Sequence, residues 1–222
     1  MDVFSQLSVI QKFILWVLPV LLAIIVHEVS HGWVAYYFGD KTAKFAGRLT
    51  LNPIKHVDPV GTIVVPVMMF LLQTGFLFGW AKPVPVDPRN FKKPLSHMAI
   101  VALAGPFSNL IMAFLWACFI KLIITFNPVV STTNTALMYM GHIGIIMNLM
   151  LGALNLLPIP PLDGSRILAA LIPKRYLPIL SRIEPFGFFI LLALLLTNIL
   201  WFILNPIISF SFHVITTIVG VS

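Results

Sequence analysis

Ile24-Ile-Val-His-Glu-Val-Ser-His-Gly-Trp33 lies within an apolar run that covers residues 13–38. About 20 apolar residues are enough for a helix to cross a bilayer, so the run qualifies as a span. Residues 1–11 carry no basic leader and no cleavage-site pattern follows, so it reads as a retained span rather than a signal peptide. An acidic side chain in mid-span costs about 3 kcal/mol on insertion. Glu28 therefore needs a partner or a task, and function is the default reading of an ionisable group in a span. His27 and His31 bracket it. Four apart on a helix, their imidazoles share one face a turn apart, and two imidazoles so placed can grip one metal ion. Glu28 reaches a metal-bound water without being a ligand, which is the H-E-x-x-H pattern. Chance gives that pattern in about one or two of a thousand chains of this composition.

The rest of the chain has the same character. Of 222 residues, 59% are hydrophobic and 9% charged, far too little polar surface for a soluble domain. The net charge of +7 is confined to the connections. Lys41, Lys44, Arg48 and Lys55 form one group, Lys82, Arg89, Lys92 and Lys93 a second, and Lys174, Arg175 and Arg182 a third. Basic residues flanking spans are cytoplasmic anchors. Nothing interleaves them with aromatics as a single-strand groove requires, so nucleic acid is excluded and the lipid bilayer is the expected partner. Cys118 stands alone in an apolar run, so no internal disulfide forms and it reads as a small core residue.

The expected fold is an all-α polytopic membrane protein, one membrane-embedded domain over residues 1–222. It has about five to six hydrophobic segments and a short re-entrant or β-hairpin element between spans. The long apolar segments are 13–38, 61–78, 97–126, 136–157 and 186–204. Four are long enough to cross; 61–78 is short and carries Pro66 and Gln73, and 207–221, after Asn205-Pro206, is too short to assign either way. The uncharged connection 127–134 is the extracytoplasmic candidate. Both basic loops around 61–78 are cytoplasmic only if that segment dips into the membrane and returns. Gly79-Trp-Ala-Lys-Pro-Val-Pro-Val-Asp-Pro88 alternates Val with Pro, as a short edge strand or hairpin does.

A catalytic zinc site takes three protein ligands and leaves a fourth position for water. Beyond the two histidines, the remaining acids are Asp2, Asp40, Asp58, Asp87, Asp163 and Glu184. Asp163 has the distinctive setting, Asn155-Leu-Leu-Pro-Ile-Pro-Pro-Leu-Asp-Gly-Ser165, after a span and beyond three helix-breaking prolines. Broken helices are tolerated in membranes where they line a cavity. Taken alone, an Asp-Gly turn at a helix exit explains it equally well.

Together, His27-Glu-Val-Ser-His31, Ala104-Gly-Pro-Phe-Ser-Asn109 and Asn155-Leu-Leu-Pro-Ile-Pro-Pro-Leu-Asp-Gly164 resemble, in order, the site-2 protease family of intramembrane zinc proteases. The resemblance covers about residues 15–170 and is to the short bacterial branch without a PDZ domain. It implies zinc on His27, His31 and Asp163, with Glu28 as the catalytic acid/base. It also implies Asn155 as a substrate or oxyanion contact. The implied activity is hydrolysis of peptide bonds within or near the membrane segments of single-span proteins, such as membrane-tethered regulators or remnant signal peptides. The implied location is the bacterial inner membrane, as a multi-pass protein. Val84 and Val86 are expected to receive an extended substrate by strand addition.

Two rival classes make different demands. A transmembrane metal-ion transporter repeats its ligands along a path, whereas these fall in two compact motifs. A catalytically inactive membrane scaffold tolerates loss of Glu28 or a ligand, and none is lost. Asn109 is expected to make an interhelical hydrogen bond, His56 and His97 to lie at the interface, and His142 to pack between helices.

Overall fold

The computed structural model describes residues 8–64, 68, 81–126 and 131–221. Helix α1 (Val9–Tyr37) starts at Ser8, whose side chain accepts from the Gln11 N–H while the Gln11 side chain accepts from the Ser8 N–H. That reciprocal box satisfies donors a helix start would leave orphaned. After α1 come a single turn, α2 (Thr42–Phe45), and a loop with short helical turns at Pro53–His56 and Pro59–Val64. The long helices α3 (Pro94–Phe126) and α4 (Thr132–Asn155) follow. Then come α5 (Asp163–Leu171), α6 (Leu177–Ile183), α7 (Gly187–Leu196) and α8 (Ile199–Val219). Five stretches are long and apolar enough to cross a membrane: Phe13–Tyr37, Pro94–Phe126, Thr132–Asn155, Lys174–Leu196 and Ile199–Val219. The chain is a multi-pass integral membrane protein, helical as expected.

Helices α1, α3, α4 and α8 pack together. Their shared core includes Leu15, Trp116, Ile120, Ile145, Leu149, Leu204 and Ile208. Lipid tails are as apolar as these side chains, so association depends on close packing and on hydrogen bonds between helices. Small residues supply the first: the Trp116 ring lies where a Cβ on Gly144 would be. Buried amides on facing helices supply the second.

Two boundaries differ from the sequence expectation. The segment expected over 186–204 is divided, because Asn198 takes a left-handed conformation (φ 58°) and ends α7. Asparagine is among the few residues that adopt this region readily. The stretch after Asn205-Pro206, left unassigned by its length, belongs to α8, with Pro206 inside the helix. A proline there costs one N–H donor and a clash, which membrane helices accommodate. The re-entrant reading of 61–78 and the extracytoplasmic reading of 127–134 fall largely outside the described residues.

Residues 81–87 form no strand or hairpin among the described residues. Pro83, Pro85 and Pro88 cannot donate to a ladder. Three of the other N–H groups go elsewhere: Lys82 to the His56 carbonyl, Val84 to Glu28 and Asp87 to Asp40.

Candidate active site and metal centre

Helix α1 delivers His27, Glu28 and His31 from the middle of the bundle. Helix α5 delivers Asp163 as its first residue, after the proline-rich turn that follows α4. Gly164 makes this junction possible, since a Cβ there would overlap the Leu156 and Leu157 carbonyls at the end of α4. The Asp-Gly pair is thus more than a helix exit: its glycine lets the chain fold back far enough for the carboxylate to meet both imidazoles. The Nε2 atoms of His27 and His31 lie 3.1 and 3.2 Å from the same Asp163 Oδ2. All three residues are buried, and one potential ligand atom from each falls within 4.8 Å of the others. No other such cluster occurs among the described residues.

The other described acids have separate tasks. Asp58 accepts from the Val60 and Gly61 N–H groups, and Asp87 pairs with Arg89 at 2.7 Å. Glu184 lies exposed on the short turn before α7.

Zinc fits these residues on two counts. His31 Nδ1 lies 2.7 Å from the Val101 carbonyl, which can only accept, so Nδ1 carries a hydrogen and, in the neutral ring, Nε2 presents a lone pair. That lone pair faces a carboxylate oxygen, an unfavourable pairing that a cation between them relieves. In addition, two ligands of a tetrahedral zinc stand about 3.3 Å apart, close to the separations here. Gly105 leaves the necessary room, because a Cβ there would sit 2.5 Å from His31 Nε2 and 2.6 Å from His27 Cε1.

Glu28 stays outside the cluster, half-buried, and its Oε2 accepts from the Val84 N–H at 2.8 Å. The Val84 side chain packs above Gly32, where an added Cβ would come within 2.9 Å of it. The loop that presents Val84 is pinned at two points the sequence reading did not assign. Arg48 is buried; its Nη1 donates to the Lys55 carbonyl, and its Nη2 donates to the Lys82 and Pro83 carbonyls at 2.6 and 3.2 Å. Asp40, also buried, accepts from the Thr42 N–H and hydroxyl, the Asp87 N–H and the Asn90 amide. Burial works to raise the Asp40 carboxyl, but these hydrogen bonds outweigh it and hold it below the usual carboxylate range. Neither residue sits in a motif, and their burial appears only once the loops are folded.

Among the remaining expectations, Asn109 does make an interhelical bond, and its partner is His27. His56 is buried rather than interfacial, its Nε2 donating to the Thr50 carbonyl at 2.8 Å. His97 is half-buried and stacks on Phe38, ring centroids 4.3 Å apart, and His142 lies against Phe212 between helices. Asn155, the last residue of α4, donates its amide to the Leu151 carbonyl at 3.0 Å.

Two buried imidazoles and a carboxylate converging on one point, with a second carboxylate beside them on a membrane-spanning helix, define a metal-dependent hydrolase site in an integral membrane protein. The family model described as Peptidase family M50 matches residues 121–198. YwhC of Bacillus subtilis, named as a candidate zinc metalloprotease, is 42% identical over 87% of this chain and 85% of its own length. Rip2 of Mycolicibacterium smegmatis, named likewise, is 30% identical over 90% of this chain and 74% of its own. The zinc metalloprotease MJ0392 of Methanocaldococcus jannaschii is 27% identical over 77% of this chain and 39% of its own. No solved structure matches. The chain belongs to peptidase family M50, the site-2 protease family, and is a zinc metalloprotease.

Proposed function

We propose that this zinc metalloprotease cuts single-span membrane proteins within or beside their membrane segment, its substrates being membrane-tethered regulators or remnant signal peptides. The observation that carries this reading is the location of His27, Glu28 and His31 inside the candidate span Phe13–Tyr37. Asp163 joins them just beyond the end of the span Thr132–Asn155. A site so placed meets peptide bonds at bilayer depth.

His27, His31 and Asp163 hold the zinc, which when bound polarises the scissile carbonyl and acidifies water. Glu28 takes the proton from the attacking water and passes it to the leaving amine. With Oε2 held by Val84, Oε1 is the oxygen left for that exchange. Asn155 donates to the developing oxyanion once its amide turns from the Leu151 carbonyl.

A peptide carbonyl in a membrane helix is already hydrogen-bonded, and opening the turn exposes groups that cost several kcal/mol each in lipid. Gly or Pro near the cut weakens the helix and lowers that cost. The test is cleavage of a matched series of tagged spans by purified enzyme in liposomes, with Glu28→Gln as the inactive control. A span carrying Gly or Pro near its end should be cut faster than a uniform poly-Leu span. Cleavage of soluble peptides alone, with every reconstituted span left intact, would overturn the proposal.

A further inference from the structure

Asn148 is fully buried in the middle of α4, away from the metal ligands in sequence and assigned no part in hydrolysis. Its Nδ2 donates to the Gly144 carbonyl at 2.8 Å. A backbone carbonyl can only accept, so this bond fixes which way the amide faces. Asn148 Oδ1 is thereby turned towards α3, where it accepts from Asn109 Nδ2 at 3.0 Å. Asn109 is equally buried, and its Nδ2 also donates to the Ala23 carbonyl of α1, at 3.2 Å. Both amide hydrogens of Asn109 are therefore committed to acceptors, and its Oδ1 is what remains for His27 Nδ1, at 2.6 Å. An oxygen there requires the hydrogen of His27 to sit on Nδ1. Nε2, aimed at Asp163 Oδ2, is then bare and able to ligate.

A flipped Asn109 would reverse this. Its NH2 would face His27, draw the hydrogen to Nε2 and block the metal position, while its oxygen met two other acceptors. We propose that Asn148 is a positioning residue for the metal centre, acting through the Asn109 amide to keep His27 Nε2 free of hydrogen. The chain of bonds starts at two backbone carbonyls, Gly144 and Ala23, and crosses three membrane helices to reach one imidazole. Packing alone gives no reason for an amide at 148, since a leucine occupies similar space in an apolar bundle. Histidines that bind metal depend on the partner of their other nitrogen, and losing such a partner typically costs tenfold to a hundredfold in metal affinity. The proposal rests on the zinc site and is independent of where the substrate is cut.

The experiment measures zinc affinity of the purified full chain by competition with a chelator, with the thermal midpoint of the metal-free protein alongside. Asn148→Leu should weaken zinc binding about tenfold. In an Asn109→Leu background, where no amide is left to orient, Asn148→Leu should have little further effect on zinc affinity. Wild-type zinc affinity in Asn148→Leu would overturn the proposal, as would a further tenfold loss when Asn148→Leu is added to the Asn109→Leu background. If Asn148→Leu does not fold, Asn148→Ala decides in the same two backgrounds: zinc weakened in the otherwise wild-type chain but not further weakened in Asn109→Leu supports the relay, and wild-type affinity of Asn148→Ala overturns it.

Discussion

His27, His31 and Asp163 are held by helices, whereas Glu28 takes its hydrogen bond from a proline-rich loop. On the ligand side, the histidines sit on α1 inside the bundle, and Gly105 and Gly164 bring α3 and α5 against them. On the proton-transfer side, the Val84 N–H reaches Glu28 from a loop more than 50 residues further along the chain. That loop is fastened by Arg48 and by Asp40, neither of which touches the metal ligands. Metal retention and turnover therefore have separate supports in this protein and can be damaged independently.

The sharpest break is within the motifs. Glu28→Gln should lower hydrolysis by about 10²–10⁴-fold while zinc content stays near stoichiometric, because Glu28 handles protons. Asp163→Ala should lose both zinc and activity, and Asp58→Ala should keep its zinc, since Asp58 caps a distant turn. Metal analysis and a cleavage assay on the same preparations separate these outcomes. Zinc loss in Glu28→Gln would make Glu28 a ligand and erase the two-sided picture.

Gly105→Ala strikes the ligand side without removing any ligand. The new Cβ collides with both imidazoles, and overpacking of this kind costs about 1–3 kcal/mol. Zinc affinity should fall about tenfold or more. Unchanged affinity by chelator competition would show that α3 yields to the methyl group and does not shape the site.

Asp40→Asn strikes the other side. Several donors converge on this buried carboxylate, and replacing one oxygen with NH2 leaves at least one mismatched, at about 1–3 kcal/mol. Turnover should fall about tenfold with zinc unchanged, and residues 81–90 should become open to protease nicking. The pH dependence follows from the same group. A carboxyl whose pKa is lowered in the folded state contributes stability that is fully present above its unfolded value of about 3.9. That contribution is lost as pH falls through the lower folded value. Hydrogen exchange at the Val84 and Asp87 N–H groups should therefore stay slow at pH 5 and quicken only well below pH ~4. Fast exchange already at pH 5 would remove Asp40 as the fastening.

The smallest effect is expected from Gly32→Ala. Its Cβ would meet the Leu49 and Val84 side chains at 2.5 and 2.9 Å, and these are the far ends of side chains that can shift. A few-fold loss of turnover with full zinc content is expected, read from initial rates on a single tagged span. A larger loss of zinc than of rate would place Gly32 with Gly105 on the ligand side.

Helices α1, α3 and α4 could be read from the sequence, because burial in lipid demands long apolar runs that are visible residue by residue. The sequence also determined His27, Glu28 and His31, whose spacing matches one helical turn, so that no tertiary information is needed to put them on one face. Asp163 was legible only through its resemblance, since an Asp-Gly pair after prolines is equally a plain turn until Gly164 is seen against the α4 carbonyls. The break at Asn198 was missed because apolar residues run through it on both sides. The partners of Asp40, Arg48, Asn109 and Asn148 became visible only in the folded chain. Each of these four is a polar side chain whose role depends on which distant donor or acceptor it meets, and hydrogen bonds between segments 34 to 86 residues apart leave no period in the sequence.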